Sequence, residues 1–169
     1  MSAYKKLLIQ QQNYNGSEYV NVGSAIDSYS RYKVVCQESP FKHLPEIKDL
    51  AKRDWYDEHG EDVYVPTDGL KFKAYDIEIR FLYVGTESAI SSDLRDFIDF
   101  LAGKNSDGKP MLAIYDEYTK VGRRGMYMLS YNNDLFYYSD TDTQAIATFT
   151  VKFRVTDPVT LLDQNFNVK

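Results

Sequence analysis

The sequence predicts a mainly-β (α+β) protein, a sandwich of short strands with one helix, on three observations. Residues 147 to 158, ATFTVKFRVTDP, alternate strictly: Phe149, Val151, Phe153 and Val155 against Thr148, Thr150, Lys152, Arg154 and Thr156. That period of two gives a strand with one apolar and one polar face. Residues 75 to 85, YDIEIRFLYVG, repeat the pattern with Ile77, Ile79, Phe81 and Tyr83 on one side. Only one segment, SSDLRDFIDFLAG, carries a convincing helical period. Many strands with a single helix pack as an α+β or mainly-β sandwich.

Taken in chain order, KKLLIQQ, EYVNV and YKVVCQE read as short strands, and FKHLPEIKDLAKRD as a helical turn opened by Pro45 or an ordered loop. The strand from Tyr75 is expected to end at Gly85. In the helix, Leu94, Phe97, Ile98 and Leu101 fall at i, i+3, i+4 and i+7. They make one apolar stripe, with Ser91 or Ser92 as N-cap and Gly103 as the C-terminal stop. MLAIYDEY (111 to 118) and GMYMLSY (125 to 131) read as strands around the turn TKVGRR, and LFYY (135 to 138) as a returning strand across an Asn132-Asn133 turn. The polar SDTDTQ leads into the last strand, which Asp157-Pro158 closes because proline has no N–H for the ladder.

Composition narrows the function. A length of 169 residues suits one domain with one core. The formal net charge of −5 offers no electrostatic footprint for nucleic acid or an anionic membrane. MSAYKKLLIQQQ lacks the apolar centre of a signal peptide, and no stretch approaches the roughly 18 apolar residues of a membrane span. Cys36 is the single cysteine, which permits a reducing compartment. Tyrosine is abundant, 15 residues, and it favours both strands and surfaces that bind protein.

Three constellations could carry chemistry. RDWYDEHGEDVY, 53 to 64, holds five carboxylates and His59 between aromatics. A calcium loop needs glycine at position six and a carboxylate at twelve; starting from Asp54 puts His59 and Val65 there, and starting from Asp57 puts Asp62 at six. His43 and His59 are too far apart for a zinc-protease pair. The stretch is therefore read as a loop in which Trp55 and Tyr64 anchor apolarly while Asp57, Glu58, Glu61 and Asp62 present an acidic face to solvent or to a basic neighbour. Arg123 and Arg124, in VGRRG, are the candidate basic turn. GKNSDGK, 103 to 109, has the letters of a phosphate-binding loop, but it follows a helix and precedes a strand, with Pro110 in the hydroxyl position. That is the reverse of the order the mechanism needs. No cofactor and no metal is expected.

The succession YDIEIRFLYVG, DLRDFIDFLAG, MLAIYDEY, a hairpin and FTVKFRVTDP resembles the core of bacteriophage tail proteins, the distal tail protein and its tail-tube-fold relatives. The resemblance covers about residues 54 to 160; residues 1 to 53 are left as N-terminal strands or an arm reaching a neighbour, and 161 to 169 as a C-terminal tail. It implies a two-sheet β-sandwich with one flanking amphipathic helix, tail-tube-like. It also implies a non-enzymatic component of a phage or prophage tail, self-assembling into a ring, usually hexameric, that docks to other tail or baseplate proteins. Such a chain would reside in the virion tail, and in the bacterial cytoplasm during assembly. On this expectation Thr148, Thr150, Lys152 and Arg154 line the channel or approach the neighbouring subunit. The chain would be a minimal ring component, lacking the appended carbohydrate-binding domain of longer relatives. The alternatives are a small β-sandwich module that binds carbohydrate or protein, and a metal-dependent hydrolase using Asp57, His59 and Asp62.

Overall fold

The computed structural model describes residues 6–38, 40, 41, 44–103, 109–138 and 143–169. Nine strands and two helices follow one another as β1 (Leu7–Tyr14), β2 (Tyr19–Asp27), α1 (Ser28–Tyr32), β3 (Val34–Cys36), β4 (Lys52–Arg53), β5 (Asp62–Val63), β6 (Tyr75–Thr86), α2 (Ile90–Ala102), β7 (Lys109–Asp116), β8 (Val121–Tyr138) and β9 (Gln144–Val155). The mainly-β α+β class is as expected, with two sheets of very unequal size. Seven strands pair in the order β2-β1-β7-β8-β9-β6-β3, all antiparallel, and β4-β5 form a separate ribbon.

The two alternating strands are neighbours at the centre of the core. β6 and β9 pair in register, Ile77 with Phe153, Ile79 with Val151 and Phe81 with Phe149, and all six side chains are buried. β6 runs through Gly85 to Thr86. Gly85 is needed there for space, since a Cβ on it would stand 2.2 Å from the Tyr83 hydroxyl. That hydroxyl donates to Asp93 of α2 at 2.8 Å, and burial, reinforced by the Asp93 charge, pushes its pKa up to about 12.

α2 lies against the inner face with the expected stripe. Phe97 and Leu101 are buried, while Leu94 and Ile98 are partly so. Phe97 meets Phe81 edge-on at 5.3 Å and Phe149 at 6.1 Å, the offset geometry aromatic rings prefer. Its start differs from expectation: the helix begins at Ile90 behind Ala89, with no side-chain cap, and Ser92 donates back to the Ala89 carbonyl. Its end does not: Gly103 takes the left-handed conformation and donates to the Phe100 carbonyl, which also accepts from Gln11 of β1. Of GKNSDGK, residues 104 to 108 lie outside the described residues, as do His43 and residues 139 to 142 of SDTDTQ.

Two expectations for the second half are corrected. The Asn132-Asn133 turn is absent: GMYMLSY and LFYY are parts of the one strand β8, paired to β9 with register shifts between Met128 and Ser130 and between Asn133 and Leu135. The asparagines are absorbed beside a bulge, which bends a strand without ending it. The turn before β8 is centred on residues 117–120, with Lys120 at φ 57°, so Arg123 and Arg124 are strand residues and not a turn.

Among the described N-terminal residues, β1, β2 and β3 are strands of the large sheet. β1 sits between β2 and β7, with Leu7 and Ile9 fully buried. α1, which the sequence reading missed, is capped by Asp27, whose carboxylate accepts from the backbone of Tyr29 and Ser30; Ser28 accepts from the Leu7 N–H at 3.1 Å. α1 touches β1, β3 and α2 together. Because β1 and β3 lie toward opposite ends of the sheet order, the sheet must curl around α2 to bring them there. The described residues of FKHLPEIKDLAKRD form no helix, and Ile47 makes a bridge with Phe72. On the outer face, the C-terminal segment lays Leu162 and Phe166 over Ala113, Tyr115 and Leu8.

Candidate interaction surface

Between β3 and β6 the chain leaves the sheet and folds back on itself. At the root, Lys48 donates to Lys71 at 2.8 Å and Lys73 to Glu46 at 2.7 Å; further out, Lys52 pairs with Val63, Arg53 with Asp62, and Tyr64 donates to Ala51 at 2.9 Å. The tip turns at Gly60, φ 88°, a left-handed position that suits glycine. Ion pairs Lys52–Glu61 and Lys73–Asp49, each 3.1 Å, run along the ribbon. The Arg53 guanidinium lies 4.7 Å from the Trp55 ring centre, and the Trp55 indole donates to Asp62 at 3.2 Å.

The described residues of this ribbon lie outside the hydrophobic core. No residue from 44 to 73 belongs to either buried cluster, and every residue from 51 to 65 is exposed. Yet it carries large apolar side chains: Leu44 is 92% exposed, Tyr56 99% and Tyr64 70%, with Ile47, Trp55, Val63, Val65, Leu70 and Phe72 also exposed. A cluster of such groups outside a core makes the ribbon the candidate interaction surface. Of the two expected anchors, Tyr64 is 70% exposed, while Trp55 holds the loop only locally, through Arg53 and Asp62 of the ribbon itself.

Asp57, Glu58, Glu61 and Asp62 are all exposed at the ribbon tip. Among the described residues no group of three or more His, Cys, Asp or Glu is placed to hold a metal ion, so Asp57, His59 and Asp62 are not gathered into one. Their alternation around a turn spreads them instead of converging them.

Arg124 is committed inward. Its guanidinium donates to Asp157 at 2.9 Å and Thr160 at 3.3 Å, and lies 4.9 Å from the Tyr19 ring centre. Arg123 donates to the Thr160 carbonyl at 3.3 Å. Burial alone would raise the Asp157 pKa, but Arg124 and the backbone of Thr160 and Val159 hold it below the usual 3.8. The pair therefore clamps the C-terminal segment to β8. In sequence, Asp157-Pro158 showed only where β9 ends; its turn-capping role could have been read from the Asp followed by backbone donors at i+2 and i+3.

Thr148, Thr150, Lys152 and Arg154 follow the outer face of β9. Thr148 is buried at 7% exposure. Arg154 and Lys152 share the carboxylate of Asp76 on β6, at 2.9 and 3.8 Å. In register, Arg154 stands opposite Asp76, and Lys152 opposite Glu78. The outer face is thus a mixed-sign ladder. A pocket of about 390 Å³ between α2 and β8 is lined by Leu94, Ile98, Tyr131 and Phe149 beside Arg95 and Asp99, and is apolar over most of its wall.

No protein-family model matches the chain, and no curated protein sequence does. Among solved structures, it is similar to SPP1 Dit (gp 19.1), described as a paradigm of the hub adsorption apparatus in phages infecting Gram-positive bacteria. The TM-score is 0.51 at 14% sequence identity, over 89% of this chain and 50% of that one. This chain spans half the length of that protein, and the likeness is one of fold: the curled sheet with its flanking helix is an architecture that a phage tail hub protein also uses.

Proposed function

We propose that this chain is a non-enzymatic structural component of a phage or prophage tail, assembling with copies of itself into a ring in the tail-tube or distal region. The observation that carries the reading is the ribbon of residues 44 to 73, self-paired, detached from the core and rich in exposed aromatic and aliphatic side chains. Such a surface is costly in water and is explained by a partner that covers it. The fold likeness to a tail hub protein supports the same reading. A ring supplies the partner without another gene product, because a head-to-tail contact repeated around an axis closes on itself. In this reading the ribbon is the arm that reaches the next subunit, the ring is hexameric, its faces dock to other tail or baseplate proteins, and of the four β9 residues Thr150, Lys152 and Arg154 face the lumen or the neighbour, while Thr148 is already buried within the chain. The site of action is the virion tail.

Light scattering across a concentration series, with negative-stain microscopy, tests this. Rings or stacked tubes are expected; a chain that stays monomeric at the highest attainable concentration overturns the reading. Exposed Trp55, Tyr56 and Tyr64 also suit stacking on sugar rings. Glycan binding by a monomer, abolished by Tyr56→Ala, would favour a carbohydrate-binding module instead.

A further inference from the structure

We infer that β2 is a self-pairing edge: residues 19 to 22 pair antiparallel with the same residues of a second copy, across a two-fold axis at Val20. The inference stands on backbone geometry and is independent of the ring. β2 ends the seven-strand order, with β1 on one side and no described strand on the other. An edge strand offers a row of N–H and C=O groups to another strand. The β1–β2 hairpin fixes which groups these are. The Asn15 N–H donates to the Glu18 carbonyl, so residues 15 and 18 form a hydrogen-bonded pair. Antiparallel pairs alternate from there. Tyr14 with Tyr19 is a close, non-hydrogen-bonded pair, Asn13 with Val20 a bonded one, and Gln12 with Asn21 non-bonded again. Their side chains agree, since the Tyr14 and Tyr19 ring centres are 4.7 Å apart and Gln12 donates to the Asn21 side chain at 2.8 Å. The N–H and C=O of Tyr19 and of Asn21 therefore point away from β1, where no described strand meets them.

Edges are usually guarded by brevity, charge or proline. β3, at the other end of the sheet, has three residues, all buried, and the ribbon strands are two residues each and carry Lys52, Arg53 and Asp62. β2 has nine residues, with neither a charge nor a proline from Tyr19 to Ile26, and Val20 is 46% exposed. The occupant follows from symmetry. The four outward groups are disposed evenly about Val20, so a two-fold axis there sets Tyr19 opposite Asn21 of the second copy and Asn21 opposite its Tyr19. All four groups on each chain are then bonded, with none left over. Val20 faces its own copy at a non-hydrogen-bonded position, where side chains approach most closely and β-branched residues pair well. Glu18 falls opposite Val22, and the two Glu18 residues stay roughly 14 Å apart along the strand, so no like charges are opposed. Gly23, at φ 67°, and the register shift between Ile9 and Gln11 end the flat run after Val22. So short a contact makes a weak dimer, with Kd of about 0.1–1 mM.

Cysteine cross-linking of the full chain tests this. In a glutathione redox buffer, Val20→Cys should form a disulfide-linked homodimer at least about tenfold faster than Val22→Cys, because the axis brings the first pair together and holds the second roughly 14 Å apart. In sedimentation equilibrium, Val20→Lys and Val20→Glu should each abolish the dimer, and an equimolar mixture of the two should restore it as a heterodimer. Circular dichroism confirms that each variant is folded. Equal cross-linking rates at the two positions, or a mixture no more associated than its components, overturn the inference. A head-to-tail contact cannot bring position 20 onto itself, so the two readings fail separately. Rings without the Val20 cross-link remove this edge and leave the ring, whereas the cross-link without rings does the reverse.

Discussion

The curled sheet and the ribbon are built from similar side chains to opposite ends. In the sheet, aromatic and β-branched residues at period two are matched by strands far away in sequence, and burial does the stabilising. In the ribbon, similar residues pair only with near neighbours and remain in water. The difference teaches that amphipathic alternation shows that a face will be covered, but not by which chain. On the proposed reading, stability and assembly are separable, each with its own residues.

Three substitutions sharpen that separation. The largest effect belongs to Phe97→Ala, which removes a fully buried ring from between Phe81, Phe149 and Tyr32. Urea denaturation should show a loss of about 3–5 kcal/mol. Next comes Asp157→Asn, which loosens the C-terminal segment from Arg124 and should cost about 1–2 kcal/mol near neutral pH for a partly buried charged hydrogen bond. Because the Asp157 pKa is depressed below 3.8 in the folded chain, its contribution is fully present above that value and is lost as pH falls through the lower, folded one. Thermal melts from pH 6 to pH 2 should therefore fall more steeply for wild type than for the variant at the acid end. Smallest is Tyr56→Ala, which should leave monomer stability within about 0.5 kcal/mol of wild type because the ring is 99% exposed. A large loss of stability there would mean that the ribbon belongs to the core after all.

Much of the sheet was legible in the sequence. β6 and β9 announced themselves because both of their faces have a fixed environment, core inside and a polar ladder outside, so period two survives intact. The stripe and C-terminal glycine of α2 were equally plain. What escaped were features decided by tertiary context. α1 is five residues long and held by Ser28 and Asp27, too short for periodicity to register. Asn132-Asn133 has the chemistry of a turn, yet the partner strand β9 continues past it and the chain bulges to follow. The acidic run drew attention as chemistry, yet its carboxylates are spread along an exposed two-stranded ribbon, and nothing in RDWYDEHGEDVY shows that its flanking strands would pair with each other and not with the large sheet. Arg123 and Arg124 looked free because their partners, Asp157 and Thr160, are distant in sequence.

The place of β1 in the sheet has a consequence for how the chain is made. Leu7 pairs with Asp116, more than a hundred residues later, so a strand synthesised first waits for one synthesised much later. During that wait the β1–β2 hairpin exists with Leu7 and Ile9 unsheltered, and a lone two-stranded hairpin is marginal in water. Native pairing of such high sequence separation slows folding and lengthens the time for which apolar strands are open to other nascent chains. Refolding of this chain should accordingly be slow for its size and sensitive to protein concentration.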